Sequence, residues 1–265
     1  IQLLPKDESL NATVRMTITN TTEKSFNELP FVLYRLLDVQ SVTSESGASL
    51  KFVQDIQRFE DATTLQANVV TISLPTMLLP AESIIINIKY SGSIYGYPEV
   101  MAYTRDRIDE QYSLLRPDVL AYPLLSKPSF SDRTSILFQL FTFHLEVTVP
   151  RLYTVACGGI LKNTVDKTDS TTFIFESKVP TWRMDIAAAK FITIKDETQK
   201  LFIYSLPEDS VGATNVLRGM KNVIALYSEL FGEVKNYQGY TAIEIPDGWG
   251  SQAGDYYFMQ TAAAF

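Results

Sequence analysis

The chain has 265 residues, 46% of them hydrophobic and 20% charged, with a formal net charge of −7. That length is generous for one core and comfortable for two, and the acidic balance, with no run of Lys and Arg, excludes nucleic acid as a partner and gives no footing on anionic lipid. A single histidine, His144, excludes any site of this chain alone that needs two His ligands, and a single cysteine, Cys157, excludes an internal disulfide framework.

The most apolar long stretch, 136–149, is broken by Gln139, His144 and Glu146, so it is too short and too polar to span a bilayer. No signal-peptide pattern opens the sequence. Ile1 is not an initiator methionine, and the polypeptide reads as a fragment or processed form of something longer. The residues leave the compartment open, with a lean toward a membrane-associated or extracytoplasmic parent.

The first part is a succession of alternating runs. Ala12, Val14, Met16 and Ile18 share one face of a half-buried antiparallel strand, and Asn20–Lys24 is a turn. Segments 31–42, 50–53, 68–74 and 83–90 continue the pattern, with Ile84, Ile86, Ile88 and Tyr90 on one face of the last. Pro75 to Pro80 is expected to connect two strands. Short strands about every ten residues, with no helical period between them, predict an antiparallel β-sandwich or saddle.

From Tyr95 to Ser131 the alternation lapses into a stretch with four prolines and a cluster of charges that includes Asp106, Arg116 and Asp118. It is expected to be a long surface crossover whose charges pair with one another, or else a cleft wall. Strands resume at 138–150, 153–156, 171–176 and 186–189. Within them Cys157 reads as a small buried filler and His144 as a solvated strand residue.

Near Lys190 the character changes. Segments 191–195 and 201–206 read as strands joined by Asp196–Gln199. After Pro207 comes the one convincing helix: Val216, Leu217, Met220, Val223, Ile224, Tyr227, Leu230 and Phe231 keep the 3.6-residue spacing, and Gly232 suits its C-terminal cap. The whole stripe is expected to face the core. A domain boundary is placed there, giving 1–190 as a β-domain and 191–265 as a second, partial α+β lobe.

Thr241–Ile245 is a further strand, ended by Pro246, Asp247 and Gly248; Gly250-Ser251-Gln252-Ala253-Gly254 and an apolar run at 256–259 follow. Glycines on both sides of a polar pair admit close backbone approach. The segment is either a wide hairpin turn or an edge strand and loop lining a peptide-binding cleft.

Several of these residues form a pattern. The segment Tyr122-Pro123-Leu124-Leu125-Ser126-Lys127-Pro128, then HLEVTVP and YTVACGG, resembles the N-terminal domain of the aminopeptidase N family of zinc metallopeptidases. The run from Ile186-Ala187 through Phe191, Tyr204, the 216–231 helix and Thr241–Pro246 is similar to the start of that family's thermolysin-like catalytic domain. The resemblance implies that Glu244, Gly250, Ser251, Gln252, Ala253 and Gly254 border a peptide substrate.

There are departures. The family's loop glutamate, which holds a substrate's free amino terminus, falls at Ala253, and its asparagine at Gly254. Ser126-Lys127 replaces an Asp-Glu pair, and Gln111 is only the nearest glutamine to the family's substrate-contacting one. The family's zinc helix, His-Glu-x-x-His with a further Glu, has no counterpart among these residues. The expectation is a zinc metallopeptidase parent whose metal and catalytic residues lie outside residues 1–265, with this part lacking metal and activity and packing on the remainder of its own chain. The alternative is a non-catalytic relative serving as a binding or scaffolding module.

Overall fold

The computed structural model describes residues 1–131, 140–235 and 237–265. The first stretch holds β1 (Gln2–Leu4), β2 (Ser9–Thr19), β3 (Phe26–Tyr34), β4 (Leu37–Ser44), β5 (Phe52–Arg58), β6 (Gln66–Leu78) and β7 (Ser83–Ser93). Then come β8 (Tyr112–Leu115), β9 (Leu124–Leu125), β10 (His144–Pro150), β11 (Thr154–Cys157), β12 (Ile160–Asp166), β13 (Ser170–Glu176) and β14 (Ile186–Ala189). The last part holds β15 (Ile192–Asp196), β16 (Leu201–Ser205), a 3-10 turn at Pro207–Asp209, α1 (Ser210–Phe231), β17 (Tyr240–Ile245), β18 (Gln252–Gly254) and β19 (Tyr257–Thr261).

The chain is mainly β, its described residues forming four sheets. A seven-stranded sheet runs β12-β13-β10-β1-β2-β7-β4 and a four-stranded one β5-β6-β3-β9. Their inner faces share one core in which Phe31, Ile72, Ile86, Tyr90 and Val147 are fully enclosed. The alternation in β2 and β7 explains the pairing. Val14 lies opposite Ile88 and Met16 opposite Ile86, so the apolar sets coincide face for face. A three-stranded sheet, β11-β14-β8, links this sandwich to a five-stranded sheet of order β15-β16-β17-β19-β18.

Three expectations are corrected, and one strand was not anticipated. Segment 31–42 is not one strand: β3 and β4 belong to different sheets, and the chain turns the corner at Arg35 and Leu36. Pro75 lies inside β6, where pairing with β3 is interrupted between Ser73 and Leu78; a residue without an N–H fits such a gap. Strand β12 has too little apolar alternation to be read from sequence, since six of its seven positions are exposed. The stretch 95–131 is no surface crossover: Tyr97, Ile108, Leu114 and Leu120 are fully buried in it, and β8 pairs with β14. Of the expected strand at 138–150, residues 138 and 139 lie outside the described residues, and the strand begins at His144.

The helix forms where the spacing predicts it, and the N–H of Gly232, at φ +82°, bonds the Ser228 carbonyl at its end. Only its first half packs. Ala213, Val216, Leu217 and Met220 meet Ile194 and Ile203 of the sheet. Twenty-two residues make a rod of about 33 Å, whereas the five residues of β16 extend about 17 Å, so the second half overhangs the strands. Tyr227, Leu230 and Phe231 are accordingly 58%, 61% and 81% exposed. The stripe expected to face the core is therefore covered at one end and bare at the other. Among the described residues no helix is long and apolar enough to cross a membrane.

Candidate functional site

The chain from β17 to β19 is positioned from both sides. β17 is the third of five strands, parallel to β16 and to β19, so it is neither an edge nor one arm of a hairpin with the 256–259 run. Parallel neighbours need a crossover, which α1 supplies between β16 and β17. The edge is β18, antiparallel to β19 with Ala253 opposite Phe258, and the hairpin is the short one between these two strands.

The loop into β18 is held by a buried guanidinium. Arg116 donates from Nη2 to the Trp249 carbonyl at 2.7 Å and from Nη1 to the Gly250 carbonyl at 2.8 Å. Its Nε and Nη2 also grip both oxygens of Asp106, at 2.6 and 2.7 Å. Burial pushes Asp106 up to about 6 against the pull of Arg116, so the carboxylate is ionised at neutral pH. Trp249 is buried against Tyr112, with ring centroids 5.7 Å apart, while the Arg107 guanidinium lies 5.0 Å above its ring.

A second ion network lies beside the first. Arg183 bonds Asp118 at 2.6 Å and Asp185 at 2.8 Å, and the Tyr257 hydroxyl donates to Asp185 at 2.7 Å. The Tyr257 ring passes between Gly158 and Gly254, and a Cβ on either glycine would run into it. The close approach that the glycine-rich loop permits at Gly254 is thus to a ring of its own hairpin. Lys178 adds a third tie, its Nζ donating to the Gly239 carbonyl at 3.2 Å, Thr241 Oγ1 at 3.3 Å and the Tyr256 carbonyl at 3.2 Å.

Above these ties a small depression opens, lined by Tyr103, Thr104, Arg116, Asp118, Gly250, Ser251 and Gln252. Gly250, at φ +74°, lets the chain turn directly beneath the Tyr103 ring. Ala253 is exposed and Gln252 half-buried on the edge strand, and the Ser251 hydroxyl accepts the Thr261 N–H at 3.4 Å. Three of the residues singled out from sequence, Gly250, Ser251 and Gln252, come together here. Glu244 does not join them: it lies on the helix side of β17, fully buried, with Oε2 accepting the Ser205 hydroxyl and the Leu206 N–H, both at 2.8 Å. Alternation along β17 places it there, opposite the face that carries Ile243 and Ile245.

Tyr103 went unread in the sequence, while Asp106, Arg116 and Asp118 were marked only as members of the charge cluster in 95–131. Arg116 and Asp106 pair within that stretch, as expected there, but the reach of Arg116 to the Trp249 and Gly250 carbonyls crosses more than a hundred residues and leaves no local pattern. His144 is exposed on β10 with its Nε2 3.3 Å from Glu146 Oε1, and Cys157 is buried, its thiol pushed up to about 12 by burial. Among the described residues no three His, Cys, Asp or Glu side chains converge as metal ligands, and the buried carboxylates Asp106 and Asp185 are taken up by guanidinium groups. These residues do not fit a zinc ion.

Neither family models nor curated proteins match the sequence. Solved structures do. An M1 zinc metallopeptidase from Deinococcus radiodurans superposes with a TM-score of 0.67 at 15% identity over 100% of this chain. A substituted form of a Deinococcus radiodurans M1 zinc metallopeptidase bound to a Tyr-Ser-Ala substrate matches with a TM-score of 0.66 at 17% identity over 100% of this chain. Leukotriene A4 hydrolase from Saccharomyces cerevisiae gives 0.66 at 12% identity over 98%. The chain spans 58% of the length of each of the first two and 39% of the third. The fold of this chain is that of the N-terminal part of M1 zinc metallopeptidases.

Proposed function

We propose that this chain forms one wall of the substrate cleft of a zinc-dependent, aminopeptidase-like peptidase. An extended peptide adds to the free edge of β18, with Gly250, Ser251 and Gln252 beside it and main-chain hydrogen bonds supplying affinity. The observation that carries this reading is an edge strand with one side unpaired among the described residues, next to a depression, in a fold shared along the whole chain with M1 zinc metallopeptidases. In this reading residues 1–190 are a β-domain and 191–265 the beginning of a thermolysin-like catalytic domain. The zinc ligands and the general base belong to polypeptide outside these residues, and that polypeptide covers the bare half of α1.

Ala253 favours a second reading, a non-catalytic relative that binds or scaffolds, because an exposed alanine carries no charge to fix an ammonium group. Zinc content and peptide hydrolysis by the full-length protein separate the two. Stoichiometric zinc with turnover supports the peptidase; stoichiometric zinc with no cleavage of any library supports the scaffold, and absence of both ends the first reading.

An active parent is expected to show little preference for free over blocked amino termini. Ala253→Glu should then raise the free-to-blocked ratio of kcat/KM by about 10- to 100-fold, the size of one hydrogen bond to a charged group. A parent already strict for free amino termini would contradict this assignment of the Ala253 position.

A further inference from the structure

Glu244 poses a chemical problem that its assignment as a substrate residue leaves unanswered. The side chain is fully buried, and Oε2 takes two donors, the Ser205 hydroxyl and the Leu206 N–H. Oε1 is enclosed and, among the described residues, has no hydrogen-bond partner. A buried carboxylate oxygen left bare is costly, and burying the charge as well adds to the cost.

The charged group that faces it is another acid, Asp209, from the turn that leads into α1. On the opposite side Tyr112 donates its hydroxyl to the Glu244 carbonyl at 2.6 Å, and that neutral phenol adds no positive charge. A like charge beside a fully buried carboxylate disfavours its ionised form. A proton on Oε1 turns the bare acceptor into a donor, and sharing it with the neighbouring Asp209 carboxylate would remove the orphan and the repulsion together.

We infer that Glu244 and Asp209 share one proton, and that this carboxyl–carboxylate bond latches the lead-in of α1 onto β17 as a pH-sensitive joint. Burial first, with Asp209 adding to it and the two donors on Oε2 opposing, pushes Glu244 up to about 7. The sign follows. A group whose folded value is raised above its unfolded value contributes stability that is complete below about pH 4.3 and is lost as pH rises through 7. The joint holds in mild acid and loosens in mild alkali. It lies at the carboxyl ends of the parallel strands β16 and β17, just ahead of the Pro246–Gly250 turn into the edge strand. The inference stands whether or not the chain serves a peptidase.

The test is carboxyl carbon NMR of the protein labelled at Glu and Asp side chains. One glutamate carboxyl should titrate with a midpoint near 7, vanish in Glu244→Gln, and move down by about one unit or more in Asp209→Asn as the neighbouring charge is lost. Should Glu244→Gln fail to fold, the shift in Asp209→Asn decides. Amide exchange at Leu206 in the unmodified protein should quicken, beyond the intrinsic pH effect, between pH 6 and 8. If every glutamate carboxyl has finished titrating below about pH 5.5, or the late resonance persists in Glu244→Gln, the shared proton is refuted.

Discussion

The sandwich up to Ala189 and the sheet-and-helix region from Ile192 onward are built on opposite terms. In the sandwich, two sheets close over each other and side chains such as Phe31 and Tyr90 are enclosed by both. In the later region the central sheet is covered on one face by residues of the sandwich side, among them Tyr112, Leu114 and Ala187, and on the other by only half of a helix. One region completes its core from its own strands. The other borrows half of its cover and leaves an apolar stripe open, so its order depends on specific ties at the seam rather than on bulk burial.

Removing the strongest tie should break the contrast most. Arg116→Met leaves Asp106 buried without its partner and two carbonyls without donors, and is expected to cost about 3–5 kcal/mol in denaturant unfolding. The Trp249–Gly254 segment should lose hydrogen-exchange protection while β2 and β7 keep theirs. Equal loss of protection in both regions would show that the seam is not where the later region draws its order.

Lys178→Met is the intermediate case. It removes one cation serving three oxygens and should cost about 1–3 kcal/mol. Burial lowers Lys178 to about 8, against about 10.4 in an unfolded chain. Between those values the unfolded state holds more protons, so this group makes stability rise with pH across the window and fall as pH drops through 8. The variant should lose that part of the slope in unfolding midpoints taken from pH 7 to 10.5, and an unchanged slope would refute the assignment.

The smallest effect sharpens the comparison from the open side. Leu230→Ser and Phe231→Ser, on the bare half of α1, should change the stability of residues 1–265 by less than about 0.5 kcal/mol. They should nonetheless reduce binding of a hydrophobic dye. A loss above about 2 kcal/mol in this chain would mean that the stripe is already packed.

Strands such as β2, β7 and β13 were legible through their one wet face, because alternation is written in neighbouring residues. Strands that escaped sequence reasoning have the opposite property. β8 is buried along its whole length and β12 is exposed along almost all of its own, so neither alternates. The corner at Arg35 and Leu36 escaped for another reason: a change of sheet needs no change of composition.

For the candidate site, the local sequence of 241–265 was enough to mark the glycine-flanked loop and to locate the strand before it and the apolar run after it. Which strand is the edge was a matter of order in the sheet, set by the α1 crossover and by β19 inserting between β17 and β18. The ties that hold the loop join residues far apart in the chain, Arg116 to Trp249 and Lys178 to Tyr256.

Composition, periodicity and turn residues by themselves determined a β-rich chain with one long amphipathic helix and a glycine-flanked loop, since those features depend on neighbours within a few positions. The side of the sheet on which Glu244 lies followed from alternation. That it is fully buried, that Asp106 and Arg116 of the 95–131 stretch are interior, and that among the described residues half the helix stripe stays exposed were decided only in three dimensions. Burial and charge pairing are properties of what the fold brings together, and a helix of 22 residues laid on strands of five or six must outrun them.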